Sequence, residues 1–271
     1  MRFLGVDLAW GEGSAEKRAA DTGVAAVDEI GRIYAAGWMC GIAETLAWVE
    51  EAAGDDALLF VDAPLVVENP GGQRLCEKQT GQRYGRWQVS ANTTNLGSRW
   101  LGGVTLRRML EARGWRYSDG RAGPPTSGRV VSECYPYTTL VGVEELGYDL
   151  ERPRYKRPPK GVAAAIWKPL RAAACDELIA RLAGLVDADP PLDLRSHPET
   201  RRLLGEPSPL DRVAYKRRED LLDAVVSAWT AAFWHRHGLS RCQILGALDE
   251  AALTIPLATI IAPARPEQRR V

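Results

Sequence analysis

The chain has 271 residues, 45% of them apolar, with 35 basic and 35 acidic side chains, so there is ample material for a core and no global charge bias. Five scattered cysteines (Cys40, Cys76, Cys134, Cys175 and Cys242) exclude a paired zinc knuckle and give no sign of a disulfide framework. The longest uncharged stretch, Ala251–Ala264, holds two prolines and is too short to span a bilayer, and residue 2 onward reads as strand with no leader pattern, so a soluble cytoplasmic protein is expected.

Short runs rich in branched and aromatic residues predict strands at 2–9, 22–27 and 32–36, the last two joined by a turn near Asp28–Gly31. A helix is expected over about 43–53 and a fourth strand over 57–61. Strand, hairpin, helix and strand in that order predict an antiparallel meander extended by a parallel neighbour. Beyond Pro64 the composition turns to Gly, Gln, Arg, Asn and Thr, which predicts one short helix and a long functional loop over 66–102. A helix near 104–113 and a strand at 129–134 follow. Residues 151–160 are proline-rich and basic, 163–185 reads as a helix interrupted at Pro169, and 187–211 reads as a proline-rich surface excursion. The last long helix is expected from about Arg217 to His237, with strands near 243–248 and 257–261. The expected architecture is a single α/β domain over 1–271, with insertions at about 66–128 and 145–215 forming a cap.

Two of the apolar runs end in a carboxylate. They are Phe3-Leu4-Gly5-Val6-Asp7 and Leu58-Leu59-Phe60-Val61-Asp62. An ionised group taken from water must be paired, protonated or bound to a cation, and two such groups in different strands point to a divalent metal. The late helix is apolar around most of its circumference except for Asp220, Asp223, Ser227 and Thr230, whose spacing of i, i+3, i+7 and i+10 places them on one face. Converging, Asp7, Asp62, Asp220 and Asp223 form a hard-oxygen set suited to Mg²⁺ or Mn²⁺ and to two-metal phosphodiester hydrolysis. Singly, each has a plainer explanation: a turn carboxylate for Asp7, a strand-end bond to loop N–H groups for Asp62, and helix first-turn acids for the pair.

The charge is unevenly spread, which fits an anionic substrate or a self-neutralising interface. Residues 1–73 hold 4 basic and 13 acidic side chains, and residues 74–130 hold 11 basic and 3 acidic ones. Arg74, Arg86, Arg99, Lys156 and Lys160 are candidate phosphate contacts, and Trp87 and Trp100 candidate stacking residues, although surface solubility and ordinary packing explain them as well. His235 and His237 fall in the last turn of a helix, where cations are favoured.

The ordered set Gly5-Val6-Asp7-Leu8-Ala9-Trp10, Thr22-Gly23, Val61-Asp62-Ala63-Pro64-Leu65, Glu133-Cys134-Tyr135-Pro136 and Asp220-Leu221-Leu222-Asp223-Ala224 resembles the predicted nucleases known as domain of unknown function 429. The late helix also resembles the closing helix of RuvC-type Holliday-junction resolvases. The resemblance implies a ribonuclease H-like mixed five-stranded sheet with flanking helices, metal ligation by Asp7, Asp62, Asp220 and Asp223, and an acidic role for Glu133. Asp62 stands where resolvases have glutamate, and Arg217 where some relatives have histidine. The implied activity is Mg²⁺- or Mn²⁺-dependent hydrolysis of nucleic acid, DNA or RNA. Two other classes remain open: a nucleotide-dependent small-molecule kinase of the actin-like ATPase superfamily, for which Gly11-Glu12-Gly13-Ser14 is a poor phosphate loop, and a non-catalytic nucleic-acid-binding module.

Overall fold

A computed structural model describes residues 1–11, 19–157, 161–248 and 255–269. The elements are β1 (Arg2–Asp7), β2 (Asp21–Val27), β3 (Ile33–Cys40), α1 (Gly41–Ala52), β4 (Ala57–Val61), α2 (Leu75–Tyr84), α3 (Gly102–Glu111), β5 (Arg116–Tyr117), β6 (Arg129–Glu133), α4 (Pro136–Gly142), α5 (Ala164–Ala183), α6 (Pro198–Gly205), α7 (Arg212–His237), β7 (Cys242–Leu245) and β8 (Ile260–Pro263).

The main sheet runs β3-β2-β1-β4-β6-β5. β1, β2 and β3 form an antiparallel meander, and β4 joins β1 in parallel, followed by β6 and β5 in the same sense. The fold is therefore mixed α/β, with six strands in the sheet rather than the expected five. The additional edge strand, Arg116–Tyr117, is only two residues long and has no alternation by which a sequence could reveal it. β7 and β8 pair antiparallel as a separate ribbon.

Both faces of the sheet are covered, which explains why β1 and β4 are apolar on successive residues instead of alternating. Phe3, Leu58 and Phe60 pack into a core with α4, α5 and α7, while Leu4, Val6, Leu59 and Val61 pack into a second core with α1 and α3. Of the first expected insertion, α3 thus lies in the layer over the sheet and β5 within the sheet itself.

Two elements differ from expectation in ways that matter. Pro169 lies inside α5 without ending it, since its missing N–H removes only the bond to the Ala165 carbonyl in the first turns. α7 begins five residues earlier than expected because Asp211 caps it, accepting from the Val213 and Ala214 N–H groups at 2.9 Å. Asp220 and Asp223 consequently sit in the third and fourth turns, beyond the reach of the helix N-terminal dipole, so first-turn electrostatics do not explain them.

α7 lies backbone-to-backbone on the sheet. A Cβ at Gly5 of β1 would meet the Ala224 carbonyl at 2.1 Å, and one at Gly23 of β2 would meet the Asp220 carbonyl at 2.0 Å. Only glycine at both positions lets the helix settle at this depth. That approach carries Asp220 and Asp223 down to the end of β1.

A candidate metal centre between two clefts

Asp7 ends β1, Asp62 immediately follows β4, and Glu133 ends β6. Val6 pairs with Val61, and Val61 with Glu133, so all three carboxylates lie at the C-terminal ends of adjacent parallel strands, with Asp7 and Asp62 one residue beyond the level of Glu133. This is the edge of a parallel sheet where ligand crevices form. Asp220 and Asp223 arrive from α7.

Asp7, Asp62 and Asp223 each offer a carboxylate oxygen, and the three oxygens lie within 4.8 Å of one another. Asp220 faces Asp7, whose pKa its charge raises, and is ion-paired with Lys216 at 2.6 Å. Lys216 also holds Glu219 at 3.0 Å. Asp223 is fully buried: Oδ1 accepts from the Tyr155 hydroxyl at 2.5 Å, while Oδ2 faces the Lys156 ammonium at 2.5 Å but receives no hydrogen bond. The polar stripe of α7 therefore divides. Its first half faces the acid cluster, while Ser227 meets the Cys134 thiol at 3.4 Å and Thr230 meets the Thr139 hydroxyl at 2.8 Å inside the core.

Electrostatics follow from this crowding. Burial and then the negative charges of Asp223 and Asp62 drive the Asp7 pKa well above the ordinary carboxylate range. Burial raises Asp62 to about 7, with Lys156 opposing and Asp223 and Glu133 assisting. Asp220 is raised by burial too, against the pull of Lys216. Burial disfavours the charged form of Lys156, but Asp223, Asp62 and Asp7 outweigh it and raise its pKa well above the ordinary value. Fully ionised, the four aspartates carry more negative charge than Lys156 and Lys216 offset, and the raised carboxyl pKa values express that excess.

Glu133 sits in a different arrangement. Arg74 forks onto it, with Nη1 and Nη2 at 2.8 and 2.6 Å, and the Leu65 N–H donates to it at 2.9 Å. Arg74 also donates Nε to Glu77 at 2.8 Å, and Glu77 receives the Thr94 N–H at 3.0 Å. Arg74 and Glu133 are each 3% exposed along their side chains. The structure thus places Arg74, expected at substrate phosphate, in a buried ion pair on the wall of the cleft that Asp62 also lines, and Glu133 is outside the trio that Asp7, Asp62 and Asp223 form.

Two clefts flank the acids. One, of about 250 Å³, is lined by Asp62, Glu133, Tyr135, Tyr137, Arg152, Lys156 and Arg157. The other, of about 950 Å³, is lined by Asp7, Asp220, Lys216, Arg99, Trp100, Arg212 and Arg217. Trp10 belongs to both walls. Trp100 is 43% exposed, with the Arg99 guanidinium 4.6 Å from its ring centroid, whereas Trp87 is buried and donates to the Asp149 carbonyl at 3.0 Å. Arg86 lies in neither cleft and pairs with Glu267. Arg217 stacks on Trp38 and reaches Asp21 at 3.6 Å. His237 contacts the Asp189 carbonyl at 2.7 Å. Lys160 and residues 12–14 of the glycine-containing segment fall outside the described residues.

Four participants carried little signal in the sequence. Lys216 stands four residues before Asp220, a spacing from which their pairing can be read once the helix start is known. Gly5 and Gly23 lie in strand interiors, where glycine marks a close backbone approach. Tyr155 has no local cue, because its partner Asp223 lies 68 residues away.

The family model described as "Protein of unknown function (DUF429)" matches residues 5–244, and the chain belongs to that family. No curated protein and no solved structure matches it. Among the described residues, no helix is long and apolar enough to cross a membrane.

Proposed function

We propose that this member of the DUF429 family is a nuclease, hydrolysing phosphodiester bonds in nucleic acid with Mg²⁺ or Mn²⁺ as cofactor. The observation that carries the reading is the convergence of Asp7, Asp62 and Asp223 within 4.8 Å from three separate elements. Their hard oxygen donors and uncompensated charge suit a small divalent cation. The meander β3-β2-β1, its parallel continuation and an acid-bearing helix laid across β1 support a ribonuclease H-like reading of the fold.

Asp7, Asp62 and Asp223 would hold the metal, which when bound acidifies water and neutralises charge developing on a phosphate. The remaining work belongs to the chain. Asp220 adds negative charge beside Asp7, and Lys216 keeps Asp220 in place. Tyr155 fixes the rotamer of Asp223. Arg152 and Arg157 in one cleft, and Arg99, Arg212 and Arg217 in the other, supply cations for phosphates on either side of the scissile bond. Trp100 offers a face for an unstacked base.

The test is Mn²⁺-dependent cleavage of end-labelled single-stranded, duplex, hybrid and four-way-junction nucleic acids by purified protein and by Asp7→Asn. Cutting by the wild type alone supports the reading. Equal activity in both, or none on any substrate, contradicts it.

A further inference from the structure

We propose that Lys156 is a built-in cation of the acid cluster, so that the centre takes one divalent ion plus an ammonium in place of the two ions expected from the sequence. The proposal rests on the metal-site reading above and concerns how the site is filled. Its starting point is the 2.5 Å contact between Lys156 Nζ and Asp223 Oδ2, on the Asp62 side of the cluster. A second ion placed against Asp223 Oδ2 would have to displace that ammonium.

The lysine is held there by a built support. Tyr155, next to it in sequence, is fully buried and donates to the other oxygen of Asp223. The carbonyl of Tyr155 accepts from the Tyr215 hydroxyl at 2.6 Å, which ties the segment to α7. Upstream, Arg152 donates Nε to the Gln88 carbonyl at 2.8 Å. The Lys156 ammonium lies 5.0 Å from the Tyr137 ring centroid and 5.6 Å from that of Tyr155, so two aromatic faces complete its surroundings. Its side chain is 16% exposed, and that exposure opens on the smaller cleft. A surface lysine making a casual contact has none of this support.

Charge balance leads to the same place. Asp7, Asp62, Asp220 and Asp223 carry four negative charges when ionised, and Lys156 and Lys216 return two. A single divalent cation neutralises the remainder, whereas two would leave these six groups with a net positive charge. Substrate phosphate would then meet the ammonium on the side of the smaller cleft, where Arg152 and Arg157 also lie.

The test is Mn²⁺ stoichiometry by equilibrium dialysis with spin-resonance detection of free Mn²⁺. The proteins are the wild type, Lys156→Met, Lys156→Arg and Asp7→Asn, each with its fold checked by circular dichroism. The wild type and Lys156→Arg should bind about one Mn²⁺ per chain, and Lys156→Met, which keeps the apolar stem, should bind about two. Two ions in the wild type, abolished in Asp7→Asn, would overturn the lysine proposal and leave the metal site standing. One ion in Lys156→Met would also overturn it. No Mn²⁺ bound by any protein would overturn the metal-site reading itself.

Discussion

Two acidic groupings stand a strand apart at the same edge of the sheet, and they are solved in opposite ways. At Glu133 the charge is closed: a forked arginine, a backbone N–H and a neighbouring glutamate satisfy one another within hydrogen-bond distance. At Asp7, Asp62 and Asp223 it is open: three carboxylates lie within 4.8 Å of each other against the Lys156 ammonium, while Lys216 is shared with Asp220 and Glu219. A buried carboxylate is thus not in itself a ligand site. What distinguishes the second grouping is the deficit of positive charge, which an incoming cation can fill.

The contrast can be broken from either side. Asp7→Asn should lower Mn²⁺-dependent cleavage by about 10³-fold, the rate equivalent of roughly 4 kcal/mol of lost charge stabilisation, while leaving the thermal midpoint of chelator-treated protein unchanged or higher. A thermal midpoint well below wild type would mean that Asp7 is structural. Arg74→Met, on the closed side, should destabilise the fold by about 3–5 kcal/mol in urea unfolding, because it leaves Glu133 buried without its counter-ion. A loss under 1 kcal/mol would show that the pair is not holding the structure.

Smaller changes sharpen the comparison. Gly5→Ala should cost about 1–3 kcal/mol and weaken Mn²⁺ affinity, since the added methyl drives α7 away from β1 and separates Asp223 from Asp7. Unaltered Mn²⁺ binding at reduced stability would uncouple the helix seat from the site. The pH response has a definite sign. Folded Asp62 keeps its proton to about 7, while the unfolded chain releases it near 3.8, so the folded state binds more protons between those values. Stability contributed by that proton is present at acid pH and lost as pH rises through about 7. In chelator-treated protein, Asp62→Asn should therefore gain stability over wild type toward pH 8 and lose the advantage toward pH 4, measured by urea midpoints. Parallel pH curves for the two proteins would contradict the open-cluster electrostatics.

Much of this was legible before any coordinates. The apolar runs ending in Asp7 and Asp62 gave their strands and their edge, and the stripe on α7 gave the face that carries Asp220 and Asp223. What escaped was set by long-range packing. Arg74 reads as a surface cation in a polar insertion, and nothing local tells that it forks onto a glutamate 59 residues away. The helix is expected from about Arg217, and its true start at Arg212 escaped because the cap at Asp211 fixes the boundary. β5 is too short for periodicity to reveal. The division of the α7 stripe between site and core depends on Cys134 and Thr139, which belong to other elements.

The most direct measurement is a crystal structure of the protein grown or soaked with Mn²⁺, read by anomalous scattering. The account predicts a peak coordinated by Asp7, Asp62 and Asp223, and none at Glu133 or Glu77. An empty acid cluster at saturating Mn²⁺, or a peak at Glu133 with Arg74 displaced, would contradict it.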